Sequence, residues 1–136
     1  MLAEIHADAD VVEVDLRTAE ILLASGDDRA AGRTVDETLR RDESLGGVID
    51  HAPLLRVLAG VLLAGGDLAL AETTIRASLD EARERDASFE IARALDVLAD
   101  IEARAGRDAD AAEHAAEARE LFRSLGVVDA AAATAG

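Results

Sequence analysis

A fixed spacing between three glycines is the feature that most constrains the fold of this chain. Gly26, Gly66 and Gly106 are separated by 40 and again by 40 residues. Other positions agree in the same register: Ala19, Ala59 and Ala99; Ile21, Val61 and Ile101; Ala31, Ala71 and Ala111; Val35, Ile75 and Ala115; Thr38, Ser78 and Ala118. A repeat of this length is the signature of stacked helical or sheet units. The sequence therefore predicts three stacked repeats.

Each repeat carries the pattern of two amphipathic helices joined at its glycine. In the first repeat, Val12, Leu16, Ala19, Leu22 and Leu23 form one apolar stripe at helical spacing. Equivalent stripes recur in the other two repeats. The predicted helices cover residues 10–25, 28–45, 51–64, 67–86, 89–105 and 108–125. The expected fold is all-α, with three antiparallel helix hairpins and about six helices.

Helix-start signals support these boundaries. Asp10 with Glu13 resembles a capping box, and Pro53 suits a first helical turn. Ser88 is predicted to accept hydrogen bonds from the free N–H groups of the fifth helix. A carboxylate follows each repeat glycine, at Asp27, Asp67 and Asp108, where it favours the start of the next helix. Gly46 and Gly126 are predicted to end the last helix of their repeats.

The composition favours closely packed helices and excludes several functions. Half of the 136 residues are hydrophobic, with two Phe and no Tyr, Trp or Cys, so the core must be built from Ala, Leu, Val and Ile. The absence of Cys excludes disulfides, thiol nucleophiles and zinc–thiolate sites. The net charge of −15 argues against nucleic-acid binding. No apolar run approaches the ~20 residues of a membrane span, and the acidic N-terminus is unlike an export signal. A cytoplasmic protein is expected.

Here the sequence resembles the tetratricopeptide repeat family. That family places one small residue in the first helix of each repeat and a second one twelve residues later. The pairs Ala19–Ala31, Ala59–Ala71 and Ala99–Ala111 match this pattern, and Gly26, Gly66 and Gly106 match the family's frequent turn glycine. The family's tryptophan positions are occupied by Asp15, Leu55 and Leu95, its tyrosine positions by Leu22, Leu62 and Glu102, and the 40-residue period exceeds the usual 34.

The resemblance implies a right-handed superhelical stack of three hairpins. It covers about residues 10–126. The predicted organisation is a single domain at 1–126, with repeats at about 10–48, 49–87 and 88–126, followed by an Ala-rich tail at 127–136. Longer, degenerate repeats of this kind are similar to the C-terminal arrays of large bacterial signalling ATPases, cyclases and transcription activators, actinobacterial ones in particular. The implied function is protein–protein interaction in a regulatory arm, without catalysis or a cofactor.

In a stack of hairpins, the first helices line one face, which is the predicted partner-binding groove. Its candidate residues are Glu13, Arg17, Glu20, His51, Arg56, Arg93, Asp96, Asp100 and Arg104. A mainly acidic groove would bind a peptide or partner domain that carries basic groups. An ordinary solvated acidic face explains the same residues equally simply, because this chain is acidic throughout.

Two further possibilities remain open. Self-association would cover apolar repeat ends around Val11, Val12, Val14, Val127 and Val128, giving a homodimer. The alternative from another class is a small all-helical enzyme or ligand-binding bundle with an acidic pocket, although no nucleophile elbow, phosphate loop or catalytic triad occurs. No metal site is predicted: Asp8–Asp10 and Asp108–Asp110 are interpreted as helix-start carboxylates, and His114 with Glu117 as a surface ion pair. The acidity has a third explanation besides a groove for basic partners and an ordinary solvated face. It is a haloarchaeal origin with adaptation to salt.

Overall fold

The computed structural model describes residues 14–44 and 51–126, and in these ranges the chain is entirely helical, without strands. The helices are α1 (14–24), α2 (Asp28–Ser44), α3 (His51–Ala64), α4 (Leu68–Glu84), α5 (Ser88–Arg104) and α6 (Asp108–Ser124). The predicted all-α class with about six helices is confirmed. Predicted boundaries agree within two residues wherever the chain is described. The division into a domain at 1–126 and a tail at 127–136 stays a prediction.

Consecutive helices pack against each other, and the first helices of neighbouring repeats also meet. Helix α3 packs along α4, α5 along α6, α2 against α3, and α4 against α5. Helix α3 also contacts α5, and Leu23 of α1 lies directly over Gly60 of α3. Helices α1, α3 and α5 therefore form a continuous row. The right-handed superhelical form of the stack stays a prediction.

A residue with left-handed backbone ends each of five helices, at positions that fall on a 20-residue interval. The φ angles are +88° at Gly26, +86° at Gly66, +82° at Gly106 and +77° at Gly126. Asp86, with φ of 52°, takes this position between α4 and α5. This residue ends α4 at Glu84, two residues earlier than predicted.

The turn after α3 shows how the left-handed residue ends a helix. The N–H of Gly66 donates to the Leu63 carbonyl and that of Asp67 to the Leu62 carbonyl, both at 3.0 Å. These two bonds satisfy carbonyls that the last helical turn leaves without partners. They require positive φ at Gly66. Glycine adopts this backbone conformation without steric cost.

Helix starts follow the sequence signals only in part. The carboxylates of Asp27 and Asp67 accept from the N–H groups of Ala30 and Leu70, at 3.3 and 3.2 Å. The predicted Ser88 cap is wrong: Ala87 is the cap residue of α5, without a side-chain bond, and Ser88 is the first residue of the helix.

In the third repeat Arg107 separates the glycine from Asp108. The aspartate therefore lies in the first turn of α6 rather than at its cap. It still favours the helix start, because a carboxylate in the first turn interacts with the positive end of the helix dipole. Asp10, Glu13 and Gly46 lie outside the described residues.

The core consists of two clusters. The larger joins α3, α4, α5 and α6 around Ile75, Leu95, Leu98 and Ile101, each with no exposed surface. The smaller joins the first hairpin to α3 and contains Ala19, Val35, Leu54 and Val57. The six alanines of the repeat pattern, Ala19, Ala31, Ala59, Ala71, Ala99 and Ala111, are all buried. Their burial agrees with the prediction that small residues at these positions face neighbouring helices.

Adjacent glycines in the turn after α3 provide a matched test of the backbone requirement. We expect Gly66→Ala to lower the free energy of unfolding by about 1 kcal/mol, because alanine is strained at positive φ. Gly65→Ala is the control, because its added Cβ would lie at an ordinary 3.6 Å from the Leu62 carbonyl oxygen. Urea unfolding followed by circular dichroism measures both. Equal losses would show that side-chain space, rather than backbone conformation, limits this turn.

Candidate interaction site

An open depression of about 550 Å³ lies on the row formed by α1, α3 and α5. Its lining residues are Arg17, Glu20 and Ile21 from α1, Pro53 and Arg56 from α3, and Phe89, Glu90 and Arg93 from α5. We call it the α1–α3–α5 depression. Each of the three repeats contributes its first helix, which is the arrangement that the repeat pattern predicts for a groove.

A buried arginine lies at the base of the depression. The Nη2 of Arg56 donates to Glu20 Oε1 at 2.6 Å, and its Nε donates to Glu90 Oε2 at 3.1 Å. The Arg56 side chain is only 7 % exposed, so these charge-assisted bonds form away from bulk water. Arg93 adds a longer ion pair, 3.7 Å from Glu20. Two arginines and two glutamates thus form a charge-balanced quartet that connects α1, α3 and α5.

The quartet predicts a specific stability loss when its central cation is removed. Arg56→Gln is expected to lower the free energy of unfolding by about 3 kcal/mol, because two partly buried carboxylates then lose the guanidinium that bonds both of them, and only the longer pair between Arg93 and Glu20 remains. Arg123→Gln is the matched control, since its pair with Glu120 is more than two-thirds exposed on both sides and should contribute under about 0.5 kcal/mol. Thermal and urea unfolding of both variants measure the difference. Similar small losses in the two variants would contradict a structural role for Arg56.

The apolar part of the depression is centred on Phe89, which remains 46 % exposed. Its ring packs edge-on against Phe122 of α6, with centroids 5.9 Å apart and an interplanar angle of 70°. The guanidinium of Arg93 lies 5.7 Å from the Phe89 centroid, within cation–π range. Ile21, 68 % exposed, and Pro53 complete this apolar surface. Phe89 is therefore held in place on two sides while part of its ring faces solvent.

Four of the nine predicted groove residues line the depression: Arg17, Glu20, Arg56 and Arg93. Glu13 lies outside the described residues. The other four do not line the depression. His51, at the start of α3, instead pairs through Nε2 with Oδ2 of the buried Asp42 at 2.8 Å, which connects the first hairpin to the second.

The remaining three predicted residues follow the same helix, α5, toward its C-terminus. Arg104 donates to the Leu63 carbonyl at 3.3 Å, at the end of α3. Asp100 is one turn earlier and Asp96 one turn before that, both exposed. Their distance along α5 from Phe89 explains why they do not line the depression, because each helical turn advances about 5.4 Å.

The charge of the depression differs from the sequence expectation. A mainly acidic groove was predicted, whereas the lining holds three arginines and two glutamates. The acidic residues of this chain lie mostly elsewhere on its surface, and here the carboxylates are matched by neighbouring guanidinium groups.

Sequence reasoning missed Ile21, Pro53, Phe89 and Glu90. Ile21 was assigned to the repeat register and Pro53 to a helix start, which are structural roles. The available signal was Phe89 itself, one of only two aromatic residues, at a position where the second repeat has Ile49. Glu90 gave no signal, because its role depends on contact with Arg56 from another helix.

His114 also has a different partner from the predicted one. Its Nδ1 lies 2.6 Å from Oε1 of Glu102, whose side chain is 1 % exposed, so the pair joins α5 to α6 in the interior of the third hairpin. Glu117, the predicted partner, lies 3.9 Å from Arg83. Across 14–44 and 51–126, no cluster of three or more His, Cys, Asp or Glu side chains is arranged to hold a metal ion.

Two carboxylates have pKa shifts of opposite sign. Hydrogen bonding from Arg107, supported by Arg76, holds the pKa of Glu72 below its usual range. Partial desolvation by neighbouring groups raises the pKa of Asp100 although its side chain is exposed, against the opposing effect of Arg104. The charged form of Glu72 therefore stabilises the fold, whereas the charged form of Asp100 costs stability.

These shifts predict opposite effects of two isosteric substitutions. At pH 7 Glu72→Gln should lower the free energy of unfolding and Asp100→Asn should raise it. The loss in Glu72→Gln should be fully present above the usual glutamate pKa and shrink as the pH falls through the lowered value. The gain in Asp100→Asn should disappear as acid protonates Asp100 in both states. Urea unfolding between pH 3 and pH 7 measures both, and effects of the same sign would contradict the assignment.

Within the described helices, none is both long and apolar enough to cross a membrane. Comparisons with protein-family models, curated proteins and solved structures find no match to this chain. The resemblance to tetratricopeptide repeats therefore rests on the residues quoted above and stays a prediction.

Proposed function

We propose that this protein is a non-catalytic interaction module that binds a peptide segment of a partner protein in the α1–α3–α5 depression. The observation that carries the proposal is the exposed Phe89, held in place by Phe122 and Arg93 beside a fixed network of charged groups. Binding sites for peptides combine such a rigid apolar anchor with nearby polar groups that set orientation.

The geometry favours binding over the alternative of a small helical enzyme. Acid–base catalysis by carboxylates needs a group whose environment adjusts its proton affinity and which faces a substrate. The two carboxylates of the depression, Glu20 and Glu90, both accept hydrogen bonds from Arg56. They serve to hold three helices together, which leaves the exposed apolar surface and the surrounding arginines for contact with a partner.

The wider setting is also part of the proposal. A cytoplasmic module that positions a signalling or transcription regulator through such contacts fits the predicted repeat class. Self-association through exposed apolar residues is the alternative to binding a peptide. Val14, 61 % exposed on α1, belongs to the apolar repeat end that a second copy would cover.

Selection of peptides from a random display library tests the function directly. Wild-type protein should enrich peptides whose binding is lost in Ile21→Ser and Phe89→Ser, because both substitutions remove exposed apolar surface from the depression. Leu70→Ser is the matched control, since Leu70 is similarly exposed, at 49 %, on α4 outside the depression. Its binding should equal that of the wild type.

Circular dichroism and size-exclusion chromatography with light scattering accompany the selection. They establish that each variant remains folded and report whether the wild type is a monomer. Absence of enriched peptides, or enrichment that survives both depression substitutions, would overturn the proposed function. A stable dimer that is disrupted by Ile21→Ser would replace the peptide with a second copy of the chain.

A further inference from the structure

We infer that the partner segment is acidic, with a carboxylate placed next to an apolar side chain. This inference rests on the proposed function and names the chemistry of the segment that the α1–α3–α5 depression accepts. The carboxylate would contact Arg17 and Arg93, and the apolar side chain would pack on Phe89 and Ile21.

Charge is distributed unevenly among the residues that line the depression. Arg56 and Arg93 are matched by Glu20 and Glu90, so this quartet has no net charge. Arg17 is the fifth charged residue of the lining; it is exposed and makes no ion pair with any described residue. The depression therefore has one positive charge in excess, in a chain whose overall charge is −15.

Arg93 is only partly engaged by its carboxylate partner. Its side chain is 36 % exposed, and its ion pair with Glu20 has a long N–O distance of 3.7 Å. Glu20 already accepts the much shorter bond from Arg56. Arg93 therefore keeps N–H donors that a second carboxylate can satisfy, while its guanidinium lies 5.7 Å from the centroid of the Phe89 ring.

The apolar surface of the depression shares its lining with these arginines. Phe89 and Ile21 lie on the same depression as Arg17 and Arg93, and both are exposed. A segment that offers only negative charge would leave this surface in water, and one that offers only apolar groups would leave the two arginines without new partners. A carboxylate with a neighbouring apolar side chain satisfies both.

The overall charge of the chain modifies this interaction without reversing it. Acidic residues elsewhere repel an acidic peptide at long range, but this repulsion is screened beyond about 8 Å at physiological ionic strength. Contacts with Arg17 and Arg93 act within hydrogen-bonding distance. Selectivity is therefore set by the local arginines, whereas the surrounding charge reduces the rate of association.

Titrations with three synthetic peptides test the inference. The probes are the acetylated and amidated pentapeptides Leu-Glu-Leu-Glu-Leu, Leu-Gln-Leu-Gln-Leu and Leu-Arg-Leu-Arg-Leu, which share their apolar side chains and differ in charge. Two-dimensional NMR of labelled wild-type protein follows the backbone amides and the arginine Nε–H groups. We expect the acidic peptide to bind about tenfold more tightly than the neutral one, and to shift the signals of Arg17 and Arg93.

Substitution identifies the arginines responsible. Arg17→Gln combined with Arg93→Gln should reduce binding of the acidic peptide to the level of the neutral peptide. Arg119→Gln is the matched control, because Arg119 is exposed on α6 and does not line the depression. Amide spectra of each variant show that the fold is retained, and Arg17→Gln alone leaves the quartet intact if Arg93 proves necessary for folding.

The outcomes separate this inference from the proposed function. Tighter binding of the basic or the neutral peptide at the depression would overturn the inference and leave the proposed function standing. Acidic binding that is unaffected by Arg17→Gln would also overturn it. Absence of binding by all three peptides overturns the inference as stated. The display selection then decides the proposed function independently, through the sequences that it enriches.

Discussion

The structure depends on a repeated constraint: a helix must end and reverse direction at a residue with left-handed backbone. Four glycines and Asp86 meet this requirement, and the 17-residue lengths of α4, α5 and α6 follow from their even spacing. Equal lengths place equivalent repeat positions at equivalent places along these three helices. The six alanines of the repeat pattern are all buried, and small side chains at such positions let neighbouring helices pack closely.

The core of the described helices consists mainly of alanine, leucine, valine and isoleucine. The α1–α3–α5 depression lies on the surface, where the first helices of the three repeats meet in a row. Arg56 has a central role there, since one buried guanidinium holds carboxylates from two other helices. Its register equivalents are Leu16 and Asp96, so this bridge is specific to the middle of the stack and is not a property of the repeat.

The same bridge determines the chemistry of the surface. By engaging Glu20 and Glu90, Arg56 cancels the acidic character that the sequence suggests for this face. Arg17 and Arg93 lie on the same depression as the exposed Phe89 and Ile21. In a chain with 29 acidic and 14 basic residues, a lining of three arginines and two glutamates is a local balance of charge that composition does not reveal.

Half of the residues that line the depression were predictable from the sequence. Their placement depends on interactions that are local along the chain, whereas the other placements depend on partners from other helices. Arg17, Glu20, Arg56 and Arg93 were placed on the correct face, because helical periodicity determines which side of a helix a residue occupies. His51 does not line the depression and instead pairs with the buried Asp42 of the preceding helix. His114 was likewise assigned to Glu117 on its own helix, whereas the hairpin brings Glu102 of α5 to the ring.

The sequence by itself determined the helical class, the helix boundaries and the positions of the six buried alanines of the repeat pattern. These follow from interactions within a few residues along the chain, namely apolar periodicity and the backbone freedom of glycine. Only the tertiary structure decided which charges meet. The partners of Arg56 lie 36 and 34 residues away in sequence, at Glu20 and Glu90. Contacts at that separation depend on how whole hairpins pack, and the three repeats carry different residues at these positions.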